Sequence, residues 1–199
     1  MPFLIPILSR VSRFLGSLLG WSIEGEFPDY PKMMLAAVPH TSNWDFLMFI
    51  YAILTKRIQP NVMGKHTLFW WPLSAFMSFF GVVPINRTKK GGVVEQGIEY
   101  FNSVEKTIML VTPEGTRSYR KEWKSGFYHI AWGAKVPLIL CKVNFKTRTI
   151  FIGEEFAMTG DYDKDIVGIK EYFKDCVPLI AEYLVLFNRR LMSQADRIN

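Results

Sequence analysis

The stretch MMLAAVPHTSNWDFLMFIYAIL, residues 33–54, decides the fold because it joins two different patterns. It begins with a short, wholly apolar run, which predicts a buried strand. It ends with apolar residues at helical spacing, and Ser42 or Asn43 would be a good N-cap for that helix. A short polar turn lies between the two, so the stretch predicts a strand, a turn and a helix in that order.

The same alternation continues along the chain. Strands are predicted at residues 33–38, 60–64, 82–85, 107–111, 136–144 and 149–153, and helices at residues 43–57, 67–80, 92–105, 124–134 and 164–190. Pro178 is expected to kink or divide the last helix, and the basic residues 146–148 are expected to form a hairpin connection between the last two strands. Strands that alternate with helices predict an α/β fold, a layered fold in which a central, mostly parallel or mixed sheet is flanked by helices.

The composition indicates one basic domain with an anionic partner. The chain has 199 residues, 49% of them hydrophobic, a net charge of +6 and a sequence pI of about 9.3. This size predicts a single domain with a real core, and the charge indicates nucleic acid, phosphorylated metabolites or acidic lipids as partners. Cys141 and Cys176 have neither metal-type nor disulfide spacing, which is typical of free thiols in a reducing compartment. No metal site is predicted.

The N-terminal segment is amphipathic and basic. Arg10 and Arg13 interrupt its apolar run, which argues against both a signal peptide and a membrane-spanning helix. On a helix, both arginines and the serines share one face, while Phe14 and several leucines occupy the other. We expect residues 1–24 to form an amphipathic helix lying in a membrane interface, and residues 25–199 to form a single domain. The alternative is an ordinary amphipathic helix packed on its own domain.

Residues 67–85 are the most apolar part of the chain. They are about long enough to span a membrane, but Pro72 lies near their start and their end has the pattern of a strand. Two interpretations remain: a core helix followed by a strand, or a surface partly inserted in a membrane. A true transmembrane helix ranks below both.

The polar turn in residues 33–54 carries the first candidate site. His40 lies in the turn and Asp45 falls in the first turn of the predicted helix, where the helix dipole favours a carboxylate. If Asp45 binds one ring nitrogen of His40, the other nitrogen can act as a general base. The alternative is a capping aspartate and a loop histidine without chemistry. Because the chain has no GxSxG elbow, a substrate hydroxyl would have to supply the nucleophile.

Two further loops follow predicted strands and carry arginines. In the loop that begins PEGTR, Gly115 allows close backbone approach to a ligand, Thr116 offers a hydroxyl, and Arg117 offers a planar fork suited to phosphate. Arg87 follows another predicted strand. A glycine turn with a solvated basic face is the alternative for each loop alone. Together with the His–Asp turn, they indicate an anionic substrate held beside a general base.

These motifs, in this order, resemble the glycerolipid acyltransferases, the group that contains the lysophosphatidic acid acyltransferases. The resemblance covers roughly residues 35–145: His-x4-Asp, an apolar strand leading to an arginine, PEGTRS, and an apolar strand that contains VP. It implies that His40 is the general base and that Asp45 orients it. It also implies an acceptor phosphate site formed by Arg87, Glu114, Gly115, Thr116 and Arg117, and Lys65 and Lys124 match lysines that the family often has.

The resemblance further implies the reaction and its setting. A fatty acyl group would pass from acyl-CoA or acyl-acyl carrier protein to the hydroxyl of a lysophospholipid, with 1-acylglycerol-3-phosphate as the first expected acceptor. No bound cofactor, metal or covalent acyl-enzyme is implied. The protein would be peripheral or monotopic on the cytoplasmic face of a membrane with anionic lipids, with acyl carrier protein as a further partner and no nucleic acid.

Four positions depart from the usual family pattern and leave the acceptor open. Pro39, Asn86, Thr112 and Leu140 replace the common asparagine, aspartate, phenylalanine and proline, respectively. None of them removes a presumed catalytic group. The alternatives are therefore another lysolipid acceptor, a lipid hydrolase in which the base activates water, and a non-catalytic basic module that binds membranes or nucleic acid.

Overall fold

The computed structural model describes residues 4–39, 43–86, 88, 92–115 and 122–176. Within these residues seven strands form one sheet: β1 Ser22–Glu24, β2 Lys32–Val38, β3 Pro60–Lys65, β4 Val82–Ile85, β5 Thr107–Val111, β6 Leu138–Asn144 and β7 Thr149–Phe156. Their order across the sheet is β1-β7-β6-β2-β5-β3-β4. Every pairing is parallel except the antiparallel pair of β6 and β7. The predicted α/β fold with a mostly parallel sheet is confirmed.

Helices cover both faces of the sheet. They are α1 Leu4–Leu18, α2 Asn43–Lys56, α3 Leu73–Phe79, α4 Gly92–Ser103, α5 Gly126–Ala134 and α6 Tyr162–Tyr172, with a short 3₁₀ helix at His66–Leu68. Successive side chains of β2 point to opposite faces, as in any strand. Met34 and Ala36 belong to the apolar cluster that contains residues of α4, α5 and α6. Leu35 and Ala37 belong to the cluster that contains Phe49 of α2.

The predicted hairpin at residues 146–148 is confirmed. It connects β6 to β7, and the side-chain oxygen of Asn144 accepts hydrogen bonds from the backbone N–H groups of Lys146 and Thr147. Because the side chain of Asn144 closes the turn, the antiparallel register of the two strands is set locally.

The structure differs from the prediction at several elements. The predicted helix 67–80 is divided: Pro72 lies between the 3₁₀ helix and α3, and a proline supplies no N–H for a helix interior. β6 begins at Leu138 rather than at residue 136, because the N–H of Val136 bonds Ala131 and closes the end of α5. The three-residue strand β1 was not predicted. The predicted last helix, 164–190, ends at Tyr172 as α6, and residues 173–175 form turns. Residues 177–190, with Pro178, lie outside the described residues.

Helix α1 packs on α2 through its small and polar side chains. Ser9 and Ser12 are buried, Ser9 Oγ donates to the carbonyl of Thr55, and Ser12 Oγ lies 3.0 Å from Thr55 Oγ1. A Cβ at Gly16 would lie 2.3 Å from the ring of Tyr51, so only glycine allows this approach. The apolar side chains of α1 consequently face outward. This is the opposite of an ordinary surface helix, which buries its apolar stripe.

The outward face of α1 is strongly apolar, with Phe14 68% and Leu18 72% exposed. Among the described helices, none is both long enough and apolar enough to cross a membrane. The division into residues 1–24 and 25–199 and the placement of α1 in a membrane interface stay predictions.

Candidate active site

The carboxyl ends of five strands meet at one edge of the sheet. β2, β5, β3 and β4 run parallel in adjacent positions, and β6 runs parallel to β2 on its other side. Candidate residues lie at or beyond the ends of these strands: Asp45 lies beyond β2, Lys65 ends β3, and Glu114 and Gly115 follow β5. Asn86, which follows β4, is the residue before the candidate Arg87. Sites in open α/β sheets form at this edge. The fold therefore brings together the loops that the sequence singled out.

Asp45 is the most deeply buried of the candidate residues that the structure describes. It lies in the first turn of α2 and its exposed fraction is 0%. A carboxylate at this depth must be held by hydrogen bonds or charges, because water cannot solvate it there. The start of a helix also favours a negative charge. His40 lies outside the described residues, so its contact with Asp45 stays a prediction.

Gly115 and Lys124 lie against each other. Gly115 has a φ of 63°, and its N–H bonds the carbonyl of Thr112 at 3.0 Å. A Cβ at Gly115 would lie 2.7 Å from Cδ of Lys124, while the backbone N–H of Lys124 bonds the carbonyl of Pro113 at 3.0 Å. The glycine therefore lets the turn close and lets the lysine chain lie across it. Thr116 and Arg117 lie outside the described part of the chain.

Gln96 of α4 clamps the residue that precedes Arg87. Its Oε1 accepts from the N–H of Asn86 at 2.9 Å, and its Nε2 donates to the carbonyl of Asn86 at 2.7 Å. The side chain of Asn86 in turn accepts from the N–H and the hydroxyl of Thr88. Arg87 itself is not among the described residues, but both of its chain neighbours are fixed. The sequence analysis missed Gln96, whose only signal was an amide in the helix that follows the loop.

Lys65 lies at the carboxyl end of β3, with its side chain exposed, and pairs in register with Ile85 of β4. Ile85 is followed by Asn86, so this lysine lies beside the strand that leads to Arg87. Lys65 and Lys124 thus both lie in the group of loops at the carboxyl edge of the sheet.

Lys142 is a cation of this edge that the sequence analysis did not select. It pairs in register with Val38, two residues before His40, and its Nζ lies 4.7 Å from the ring centroid of Tyr172. Cys176 also approaches Val38, with 4.0 Å between its Sγ and the Val38 carbonyl. A lysine within a strand of apolar residues gave no motif by which to select it.

Neither cysteine is a thiolate at neutral pH. Burial raises the pKa of Cys141 to about 12. Burial also raises the pKa of Cys176 to about 12, although the nearby charge of Lys142 acts to lower it. Because only the thiolate is an effective nucleophile, the buried Cys141 and the partly buried Cys176 are unsuited to carry an acyl group.

A polar latch joins α5 to α6. The hydroxyl of Tyr128 donates to Asp165 at 2.6 Å, and Asp165 also accepts from the N–H and the hydroxyl of Thr159. Burial alone would raise the pKa of Asp165, but these hydrogen bonds bring it below its ordinary value. The hydroxyl of Tyr162 donates to the carbonyl of Trp123, the residue before Lys124. The latch thus holds the start of α5, and with it Lys124, in place.

Comparison with known proteins agrees with this arrangement. Residues 26–143, more than half of the chain, match the family model described as Acyltransferase. The chain is 31% identical over 121 residues to the 1-acyl-sn-glycerol-3-phosphate acyltransferase of Saccharomyces cerevisiae, in an alignment that covers 55% of this chain and 37% of the yeast protein. It thus spans little more than a third of that relative's length.

A solved structure has the same fold. The crystal structure of the 1-acyl-sn-glycerophosphate (LPA) acyltransferase from Thermotoga maritima superposes with a TM-score of 0.55 and 20% sequence identity, covering 86% of this chain and 80% of that one. The likeness at this identity concerns the fold. Taken with the family model, which covers β2 through β6 and the loops between them, it leads to one conclusion: the chain belongs to the acyltransferase family.

Proposed function

We propose that this protein transfers a fatty acyl group from an acyl thioester, acyl-CoA or acyl-acyl carrier protein, to the free hydroxyl of a lysophospholipid, with 1-acylglycerol-3-phosphate as the acceptor. The observation that carries the proposal is the fully buried Asp45 at the start of α2, inside the segment that matches the family model. Both similar proteins are described as acyltransferases of this acceptor.

In the proposed mechanism, Asp45 accepts a hydrogen bond from one ring nitrogen of His40 and fixes its tautomer. The other nitrogen removes the proton of the acceptor hydroxyl while the oxygen attacks the thioester carbonyl. The tetrahedral intermediate then collapses, the carbon–sulfur bond breaks, and the leaving thiolate takes the proton from the imidazolium. The products are the ester and the free thiol of the carrier.

The acceptor phosphate is proposed to lie among the cations at the sheet edge. Arg87 and Arg117 supply planar forks for phosphate, while Lys65 and Lys124 supply point charges. Glu114, Gly115 and Thr116 complete this proposed site as the turn that carries Arg117. Two positions support this assignment: Lys65 ends β3, and Lys124 lies in the loop between β5 and α5.

Membrane association at the cytoplasmic face, peripheral or monotopic, is proposed from the exposed apolar surface. The outward stripe of α1 is apolar along its length, and Trp71 is 83% exposed in the connection that follows β3. Tryptophan and leucine at such exposure are typical of proteins that lie in a bilayer interface. A lysolipid could then reach the site without leaving the membrane.

The acceptor is tested with purified protein in detergent, radiolabelled acyl-CoA, and either lysophosphatidate or lysophosphatidylcholine. We expect labelled phosphatidate, with the choline lipid a poor acceptor because it places a cation beside the cationic loops. Acyl carrier protein thioesters in a parallel series identify the donor. Release of free fatty acid without acceptor, faster than transfer with it, would contradict the proposal and indicate a hydrolase.

A further inference from the structure

A polar groove lies between α1, β1 and the last turn of α2, away from the candidate active site. Its volume is about 470 Å³, and its lining residues are Arg13, Ile23, Glu26, Tyr51, Thr55, Lys56 and Arg57. Lys56 and Asp45 belong to opposite ends of α2, which places the groove roughly 16 Å along the helix from Asp45 at 1.5 Å per residue. The groove is therefore distinct from the acyl-transfer site.

The groove carries an excess of positive charge. Lys56 Nζ lies 2.6 Å from Glu26 and donates to the carbonyl of Gly25 at 2.9 Å. The side chain of Lys56 is 16% exposed and that of Glu26 is 84% exposed, so this ion pair lies at the solvent-exposed rim of the groove, with the lysine chain along its wall. Within the described part of the chain, no carboxylate forms an ion pair with Arg13 or Arg57. The charges of Lys56 and Glu26 cancel, so Arg13 and Arg57 give the groove a net charge of +2.

Arg57 occupies a backbone conformation that favours glycine. It follows α2 with a φ of 58°, in the left-handed region where helices commonly end on glycine. An arginine at such a position is conformationally unfavourable, and its side chain lines the groove. This is the second observation, independent of charge, that singles out Arg57.

The groove adjoins the outward apolar face of α1. On the circumference of the helix, Arg13 lies between the buried Ser9 and the exposed Phe14. A phosphate bound by Arg13 would therefore lie beside side chains suited to lipid tails. Arginine forks are well matched to phosphate oxygens, and the net positive charge of the groove favours a head group with a net negative charge over a zwitterionic one.

We propose that this groove binds the phosphate head group of an anionic phospholipid while α1 lies in the bilayer interface. The proposal rests on the membrane association proposed above and adds a specific lipid site to it. The head group comes from the bilayer rather than from solution, because the groove opens beside the apolar face of α1.

The test exploits two residues with the same local structure. Arg57→Gly removes a cation from the groove and relieves a left-handed backbone. Lys135→Gly also removes a cation and relieves a left-handed backbone, but it does so at the end of α5, outside the groove. Lys135 has a φ of 53° and is exposed. Both variants should fold at least as stably as the wild type. Arg13→Gln is a second groove variant that leaves the backbone unchanged.

Binding is measured by co-sedimentation with phosphatidylcholine vesicles and with mixed phosphatidylcholine–phosphatidylglycerol vesicles. We expect the wild type and Lys135→Gly to bind the mixed vesicles more tightly. We expect Arg57→Gly and Arg13→Gln each to bind the mixed vesicles about fivefold more weakly than the wild type, which is the effect of removing one cation near an anionic membrane. Their binding to phosphatidylcholine alone should not change, since that arm reports the apolar face of α1.

Two results would overturn the lipid site. Equal losses in Lys135→Gly and Arg57→Gly would show general attraction by net charge rather than a groove. Thermal stabilisation of the wild type, but not of Arg57→Gly, by soluble glycerol 3-phosphate would assign the groove to a soluble phosphate ester. Failure of the wild type to bind either vesicle would instead contradict the membrane association on which the site rests.

Discussion

At the scale of single residues, Gln96 is the side chain whose removal best separates positioning from chemistry. Gln96→Ala removes both hydrogen bonds that hold Asn86, at about 0.5–1.5 kcal/mol each. We therefore expect the KM for lysophosphatidate to rise by up to about tenfold while kcat changes less, because the proposed phosphate contact of Arg87 loosens.

Steady-state kinetics in detergent, with varied acceptor, measure this effect. Gln59→Ala is the matched control, since Gln59 is an exposed glutamine that precedes β3. A loss of kcat with unchanged KM would contradict the positioning role of Gln96.

Gly115 gives a second prediction at this scale. Gly115→Ala would place a Cβ 2.7 Å from the Lys124 side chain, in addition to the left-handed φ of 63°. Gly20→Ala has the same backbone cost, with a φ of 73°, but its nearest neighbour would lie at 3.5 Å. Both variants should lose about 1–2 kcal/mol of unfolding free energy.

Only Gly115→Ala should also raise the acceptor KM, because only it displaces Lys124. Chemical denaturation and acceptor kinetics of the two variants make the comparison. The same acceptor KM for both would remove Lys124 from the proposed phosphate site.

At the scale of elements, the latch between α5 and α6 predicts a pH-dependent stability. The folded state lowers the pKa of Asp165 below its ordinary value of 3.8, so its contribution is fully present above that value and is lost as the pH falls through the folded pKa. Asp165→Asn should lower the unfolding free energy near neutral pH by about 1–3 kcal/mol, the range for hydrogen bonds to a charged group.

The difference between wild type and Asp165→Asn should shrink only in acid, below roughly pH 4. Thermal unfolding as a function of pH measures it. Asp163→Asn, an exposed aspartate in the first turn of the same helix, is the control and should differ little. A difference that stays constant down to pH 2 would indicate that Asp165 does not act through its charge.

Because α1 buries polar side chains and exposes apolar ones, we expect a polar substitution on its outward face to cost less stability than an apolar substitution on its inward face. Ser12→Val removes a buried hydroxyl bonded to α2 and should lower the thermal unfolding temperature in detergent. Leu18→Gln replaces a side chain that is 72% exposed and should leave the thermal unfolding temperature nearly unchanged, while weakening binding to phosphatidylcholine vesicles. If Leu18→Gln were the more destabilising change, the outward face of α1 would have to be packed against protein.

The elements that could be predicted are those with a local signal. β2, β3, β4 and β5 are apolar runs bounded by polar turns, and α2 and α4 have helical periodicity, so each was located within a few residues. β1 has no such run, because its three residues acquire their structure only by pairing with β7. The burial of the polar stripe of α1 was equally beyond sequence reasoning, since it depends on the shape that Gly16 and Tyr51 form together.

At the scale of the whole molecule, strand order explains why the candidate residues come together. Lys65, Asn86 and Gly115 follow strands that are neighbours in the sheet although they lie far apart in the chain. The motifs and the family resemblance identified these loops in the sequence. Lys142 could not be foreseen, because its contacts with Val38 and Tyr172 join elements far apart in the chain. Gln96 lies in the helix that directly follows the loop of Asn86, but a single amide in a helix is not a motif.

The end of α1 lies beside the edge of the sheet that carries the candidate site. Arg148, in the β6–β7 hairpin at the carboxyl edge of the sheet, donates to the carbonyl of Leu19 just beyond α1. The exposed face of α1 therefore extends from the groove of Arg13 and Arg57 towards the edge that carries the candidate site. For the proposed membrane association, this arrangement favours an orientation in which the bilayer meets the apolar face of α1 and the site edge together.

Acyl transfer from labelled acyl-CoA to lysophosphatidate by wild type, His40→Ala and His129→Gln tests the proposed His–Asp acyltransferase site. His129 is an exposed histidine of α5 and serves as the control. We predict that His40→Ala lowers kcat by about 10²–10⁴-fold, the usual contribution of a general base, with its thermal transition retained and His129→Gln near wild type. Undiminished transfer by a folded His40→Ala protein would contradict the role of His40 as the general base.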